Sequence, residues 1–261
     1  MNALRAFPEE PPMRRRRIYA VLLIILLDSL LIIALILFFP LFTGSPNRSL
    51  TSSNWSGYIV ASDLNNPQPK VTSINASWTV PTVNGPTAGS YSATWIGVGG
   101  QFDDTLIQIG TEQNYIQGGQ YSAWYELLPS NSVTIDSLTV SPGDSIIASI
   151  SLLDSAANMW STEIHDVTSN QSFHNSFTYV SSMLSAEWIV EAPIVNNRAR
   201  TLANFGAVTF TGCTATIGGN VGTISSYPHF QVTMYTRLNM QPVSVSSLDS
   251  EGTSFTVNYG A

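Results

Sequence analysis

Apolar and polar residues alternate along short stretches of this chain, and Gly, Pro, Asn and Asp punctuate them. A period of two sends successive side chains to opposite faces of a strand, so each stretch reads as a half-buried β-strand. The stretches are residues 77–80, 94–98, 105–109, 122–127, 132–140, 145–153, 159–167, 185–190, 207–210, 231–238 and 254–258. Pro142-Gly143-Asp144 and Thr168-Ser169-Asn170-Gln171 supply turn chemistry between them. Beyond residue 53 there is no helical period and no repeat of fixed length. Many short strands at this spacing predict an all-β fold, an antiparallel sandwich or barrel.

The N-terminal portion has a different pattern. Arg14 to Arg17 form a basic block, and residues 18–42 are almost wholly apolar, broken by Asp28 and Ser29. About 20 apolar residues suffice to cross a bilayer. A cleaved signal peptide has an apolar core of only about 7–15 residues. The expectation is a basic cytoplasmic segment at 1–17, a transmembrane signal anchor at 18–43 and a Ser/Thr/Asn-rich linker at 44–53. A β-sandwich domain fills 54–261. With the arginines inside, the domain faces outward from the cell membrane as a single-pass protein, and cleavage near Thr43-Gly44 would instead secrete it.

Charge narrows the partners. Within residues 45–261, five basic residues stand against fourteen acidic ones. Nucleic acid is excluded as a partner, because phosphate binding needs clustered Lys and Arg. Cys213 is the single cysteine, so no intrachain disulfide forms and stability must come from the core. Within Phe210-Thr211-Gly212-Cys213-Thr214 it reads as a buried apolar residue of a strand and turn. Asn47, Asn54, Asn75 and Asn170 each open an Asn-X-Ser sequon. His165, His174 and His229 are scattered, with no His-Glu-X-X-His frame, so no metal site is expected. No Gly-X-Ser-X-Gly elbow supports a serine nucleophile.

Carboxylates and amides carry the chemistry instead. In Ala186-Glu187-Trp188-Ile189-Val190-Glu191, strand alternation puts Glu187 and Glu191 on one face and Trp188 and Val190 on the other. Carboxyls in apolar surroundings lose hydration and titrate at raised pH, which suits them to acid–base work. Gln108 lies in the hydrophobic run Leu106-Ile107-Gln108-Ile109-Gly110, where a primary amide is costly unless it is hydrogen-bonded. Trp124 and Glu126 share a strand face, as groove lining or as ordinary sheet packing.

Taken in order, five segments resemble the glutamic peptidases, the eqolisins of the G1 family. They are Ser53-Asn54-Trp55-Ser56-Gly57-Tyr58; Ala76-Ser77-Trp78-Thr79-Val80-Pro81; Thr94-Trp95-Ile96-Gly97-Val98-Gly99-Gly100 with Leu106-Ile107-Gln108-Ile109-Gly110; Tyr121-Ser122-Ala123-Trp124-Tyr125-Glu126-Leu127-Leu128-Pro129; and Ala186-Glu187-Trp188-Ile189-Val190-Glu191. The resemblance implies a concanavalin-like antiparallel β-sandwich, or jelly roll, with a catalytic Gln–Glu dyad on a concave face. The dyad falls on Gln108 and Glu191, and substrate-binding positions fall on Trp55, Trp95, Glu112, Trp124 and Glu126. It implies hydrolysis of polypeptide substrates at acid pH, with no cofactor, metal or covalent intermediate. Ionised Glu191 would take a proton from the attacking water and return it to the leaving amine, while Gln108 would stabilise the oxyanion. Ser122 stands where the family often carries Asp, so the site holds fewer carboxylates. Two other readings stay open: a carbohydrate-binding module, and a glycoside hydrolase using Glu191 with Glu187 or Glu126.

Overall fold

Paired strands make up more than half of the described residues. The computed structural model describes residues 48–84, 89–195, 198–235 and 243–260. In chain order the strands begin with β1 (Arg48–Ser52), β2 (Trp55–Ala61), β3 (Val71–Thr79), β4 (Ser90–Gly99), β5 (Leu106–Tyr115), β6 (Gly119–Leu127) and β7 (Val133–Thr134). Next come β8 (Ser145–Asp154), β9 (Met159–Asp166), β10 (Gln171–Thr178), β11 (Ser185–Glu191), β12 (Ile194–Val195), β13 (Arg198–Ala199) and β14 (Thr201–Leu202). The last are β15 (Ala207–Ile217), β16 (Asn220–Thr223), β17 (His229–Met234), β18 (Val243–Val245) and β19 (Phe255–Tyr259). A single 3-10 turn, Ile224–Ser226, is the only helical element among the described residues.

Two sheets form the sandwich. The first runs β1-β17-β2-β11-β4-β5-β6-β7, with β14 paired to β4. The second runs β10-β9-β8-β3-β15-β19-β18, with β16 paired to β15. Pairing is antiparallel except at β1/β17 and β14/β4. Between the sheets lies the main core. The first sheet supplies Tyr58, Ile96, Val98, Ile107, Ile109, Trp188 and Val190; the second supplies Trp78, Ala148, Trp160, Ile164, Phe210 and the buried Cys213. Burying each large side chain is worth roughly 2 kcal/mol. Two indoles also bond across the gap: Trp78 Nε1 donates to Thr111 Oγ1 at 3.1 Å and Trp188 Nε1 to the Asn75 carbonyl at 3.1 Å.

The first sheet is apolar on its other face as well. Ile59, Ala93, Trp95, Leu106, Trp124, Ile189, Phe230 and Val232 form a second cluster there, flanked by Trp55, Leu64, Phe102 and Leu128. This outer cluster floors the region where the candidate residues gather.

The structure differs from the alternation pattern in several places. Of residues 132–140, only Val133–Thr134 forms a strand. Ile135, Leu138 and Val140 are buried loop residues whose spacing imitated a strand. Arg48–Ser52, compositionally a linker, pairs in parallel with β17. The expected anchor at 18–43 and the basic segment before it lie outside the described residues. No helix among the described residues is long and apolar enough to cross a membrane.

Candidate active site

Register fixes which side chains meet. Glu191 pairs with Ala93 of β4, which pairs with Glu112 of β5 and then Ser122 of β6. Two residues along, Ile189, Trp95, Gly110 and Trp124 form the next row. Glu187, Gly97, Gln108 and Glu126 form the row after that. Directly opposed residues of antiparallel strands share a face, so all three rows project from the outer face of the first sheet. Gln108 and Glu191 therefore stand on one surface, two strands apart and offset by four residues.

Glu191 occupies the end of β11. Its Oε1 accepts from Asn54 Nδ2 at 2.8 Å and its Oε2 from Trp95 Nε1 at 2.8 Å. Trp55, the cross-strand partner of Glu191, stacks edge-on against Trp95 with ring centroids 5.1 Å apart. Burial pushes the Glu191 pKa up to about 7. Donation from Trp95, Trp55 and Asn54 holds it from rising further, while the Glu126 carboxylate repels its charge.

Gln108 is buried, and its Nε2 donates to Glu126 Oε2 at 2.5 Å. Its Oε1 is sealed from solvent without a partner. Burial raises the pKa of Glu126, and the Gln108 bond opposes that rise. Glu126 thus bonds Gln108 directly and acts on Glu191 through its charge. Glycine makes the packing possible: a Cβ on Gly110 would lie 2.3 Å from the Thr94 carbonyl oxygen, and one on Gly97 would lie 2.8 Å from the Trp95 ring.

The remaining sequence candidates separate by environment. Glu112 accepts from Ser122 Oγ at 2.8 Å and Asn114 Nδ2 at 3.0 Å, on the same face as Glu191. Trp95 is fully buried and Trp124 is 7% exposed, so neither presents an open ring face. Trp55 is partly exposed. Glu187 is fully buried, and neither of its oxygens has a hydrogen-bond partner. Burial holds its pKa well above the ordinary carboxylate range. Asn54 is the site residue that sequence reasoning missed. It read as a sequon, although its place beside Trp55 in the first family segment was an available signal.

His165 lies on the second sheet, in a hollow with Ile147, Ser149, Glu163 and Ser172 that contains none of these groups. Among the described residues, no group of three or more His, Cys, Asp or Glu side chains is placed to hold a metal ion.

The model of the Peptidase A4 family matches residues 53–259, which span every row of this face. The chain belongs to the Peptidase A4 family. Among curated members, it is 30% identical over 194 residues to aspergillopepsin-2 of Aspergillus niger, covering 65% of this chain and 66% of that one. It is 31% identical over 144 residues to scytalidopepsin B of Scytalidium lignicola, covering 53% and 51%. The chain thus spans less than two thirds of the length of either relative. In fold it is similar to scytalido-glutamic peptidase crystallised with a transition state analog inhibitor. That likeness has a TM-score of 0.68 at 24% identity, over 80% of this chain and 98% of the other. That likeness is one of fold, the two-sheet β-sandwich.

Proposed function

We propose that this chain is a glutamic-type endopeptidase that hydrolyses polypeptides, with Gln108 and Glu191 as its working pair. One observation carries the reading. In a member of the Peptidase A4 family, a carboxyl held by Trp95 and Asn54 shares one sheet face with the Gln108–Glu126 pair.

Ionised Glu191 takes a proton from a water attacking the scissile carbonyl, then hands it to the leaving amine. A carboxyl with a pKa of about 7 suits both halves of that cycle. It is basic enough to accept the proton and acidic enough to release it. Gln108 Nε2 carries two N–H groups, and one is used by Glu126. The other serves the developing oxyanion, a role worth about 3 kcal/mol for one well-aimed donor. Glu126 fixes the direction of that amide.

The raised pKa also sets the pH range. A general base must be ionised, so kcat/KM climbs with pH toward about 7 and falls close to tenfold per unit below it.

Sugar-directed readings fit less well. Carbohydrate platforms need open aromatic faces, and Trp95 and Trp124 are buried. A Glu187–Glu191 glycosidase pair would need Glu187 open to substrate, and it is sealed.

The test is cleavage of a denatured protein substrate at pH 5–6 by the purified chain and its Glu191→Gln variant. Turnover should fall by at least about 10³-fold, with far-UV circular dichroism unchanged. Equal cleavage by both proteins removes Glu191 from the chemistry.

A further inference from the structure

Tyr179 lies in the connection between β10 and β11, anchored at its backbone. Its N–H donates to the Asn158 carbonyl at 2.9 Å, and its carbonyl accepts from Trp160 Nε1 at 3.1 Å. The side chain reaches the end of the β5/β6 pair. There the hydroxyl accepts from the Leu106 N–H at 2.9 Å and donates to the Leu128 carbonyl at 2.7 Å. Leu128 N–H in turn donates to the Leu106 carbonyl at 3.0 Å. Leu106 lies two residues before Gln108 and Leu128 two residues after Glu126, and Gln108 and Glu126 face each other across that strand pair. Three residues beyond Tyr179, Ser182 N–H donates to Thr105 Oγ1 at 2.9 Å. The chain then enters β11, which ends on Glu191. One short connection therefore grips the strands carrying Gln108 and Glu126 and leads directly into the strand carrying Glu191.

The geometry points to Tyr179 as a positioning residue whose hydroxyl fixes where the Gln108–Glu126 pair stands relative to Glu191. Its effect on turnover rests on the peptidase reading above. The phenol both accepts and donates, so phenylalanine replaces neither bond and leaves Leu106 N–H and Leu128 C=O without that bridge. Misplacing a reacting group by about 1 Å can cost 10²-fold in rate. The loss belongs in kcat, because the displaced Gln108 amide serves the transition state rather than the bound substrate.

The experiment compares the full chain with its Tyr179→Phe and Gln108→Ala variants. Steady-state kinetics are run beside NMR of the side-chain amides, with Gln108 assigned by its absence from the Gln108→Ala spectrum. The expected result for Tyr179→Phe is a kcat at least tenfold lower, a KM within about twofold, and shifted or broadened Gln108 amide resonances. A lower melting temperature with unchanged kcat per folded molecule and unmoved Gln108 resonances overturns the assignment. If the parent chain itself cleaves nothing, the peptidase reading fails, and the Gln108 resonances alone decide the structural claim. Should Tyr179→Phe not fold, Thr105→Val cuts the neighbouring tie to Ser182. It should shift the same resonances and lower kcat in the same direction; unmoved resonances there overturn the assignment too.

Discussion

Glu191 is a carboxyl on which opposing influences meet. Burial and the Glu126 charge favour its neutral form, while the N–H donors of Trp95, Trp55 and Asn54 favour the anion. Removing a donor should therefore raise its pKa above about 7. Trp95→Phe, which keeps an aromatic ring but loses the 2.8 Å bond, should move the acid limb of the pH–kcat/KM profile to higher pH. At pH 5.5 it should lower kcat/KM roughly tenfold. Asn54→Ala should shift the limb the same way. A limb unmoved in both variants would show that these bonds do not tune the carboxyl. At this scale the sequence was half legible. Alternation placed Glu187 and Glu191 on one face, and register agrees. It did not show why they differ, because Glu187 is enclosed by residues of other strands while Glu191 sits at a strand end beside Trp55. Asn54 was hidden by distance, since 137 residues separate it from its partner.

Among elements, the strands read most easily were those with one wet face. β9 alternates buried and open positions along its whole length, and its predicted span is nearly the observed one. β2 escaped prediction because it is buried on both faces, leaving Trp55–Ala61 with no polar alternation to detect. The edge strand β10 escaped for the opposite reason, as Ser172, His174 and Ser176 dilute its apolar signal. The site depends on the central strands β4, β5 and β11 being held close, and glycine permits that approach. Gly110→Ala would drive a methyl into the Thr94 carbonyl and the Trp95 backbone, atoms that cannot swing aside. Urea unfolding should show a loss of about 1–3 kcal/mol, the usual cost of overpacking. The Trp95–Trp124 row should be displaced with it. A neutral result would mean that β4 and β5 are less tightly apposed than the register implies.

For the whole molecule, several carboxyls tie stability to pH. Folded-state pKa values are raised for Glu126, Glu187 and Glu191. For an acid group raised on folding, stability is fully present below the unfolded value of about 4.3 and is lost as pH rises toward the folded value. Glu191 alone, raised to about 7, accounts for a loss of about 3 kcal/mol by neutral pH. Asp63, Asp166 and Asp249 are lowered instead, held by turn N–H and hydroxyl donors. Their contribution is present above about 3.9 and is lost as pH falls further. The melting temperature should peak between about pH 4 and 5 and decline through neutrality. Glu187→Gln, which cannot ionise, should narrow the difference in melting temperature between pH 4.5 and 7.5. An undiminished difference would mean that Glu187 is not part of the alkaline loss.

Gln108 and Glu191 are claimed to act on the same peptide bond, and a double-mutant cycle tests that most directly. Single-turnover cleavage of one peptide at pH 6 is measured for the parent, Gln108→Ala, Glu191→Gln and the double variant. Residues that work as one unit lose their effect together, so the double variant should be no slower than the worse single variant. Losses that simply multiply, or cleavage that survives in the double variant at the parent rate, would contradict the account.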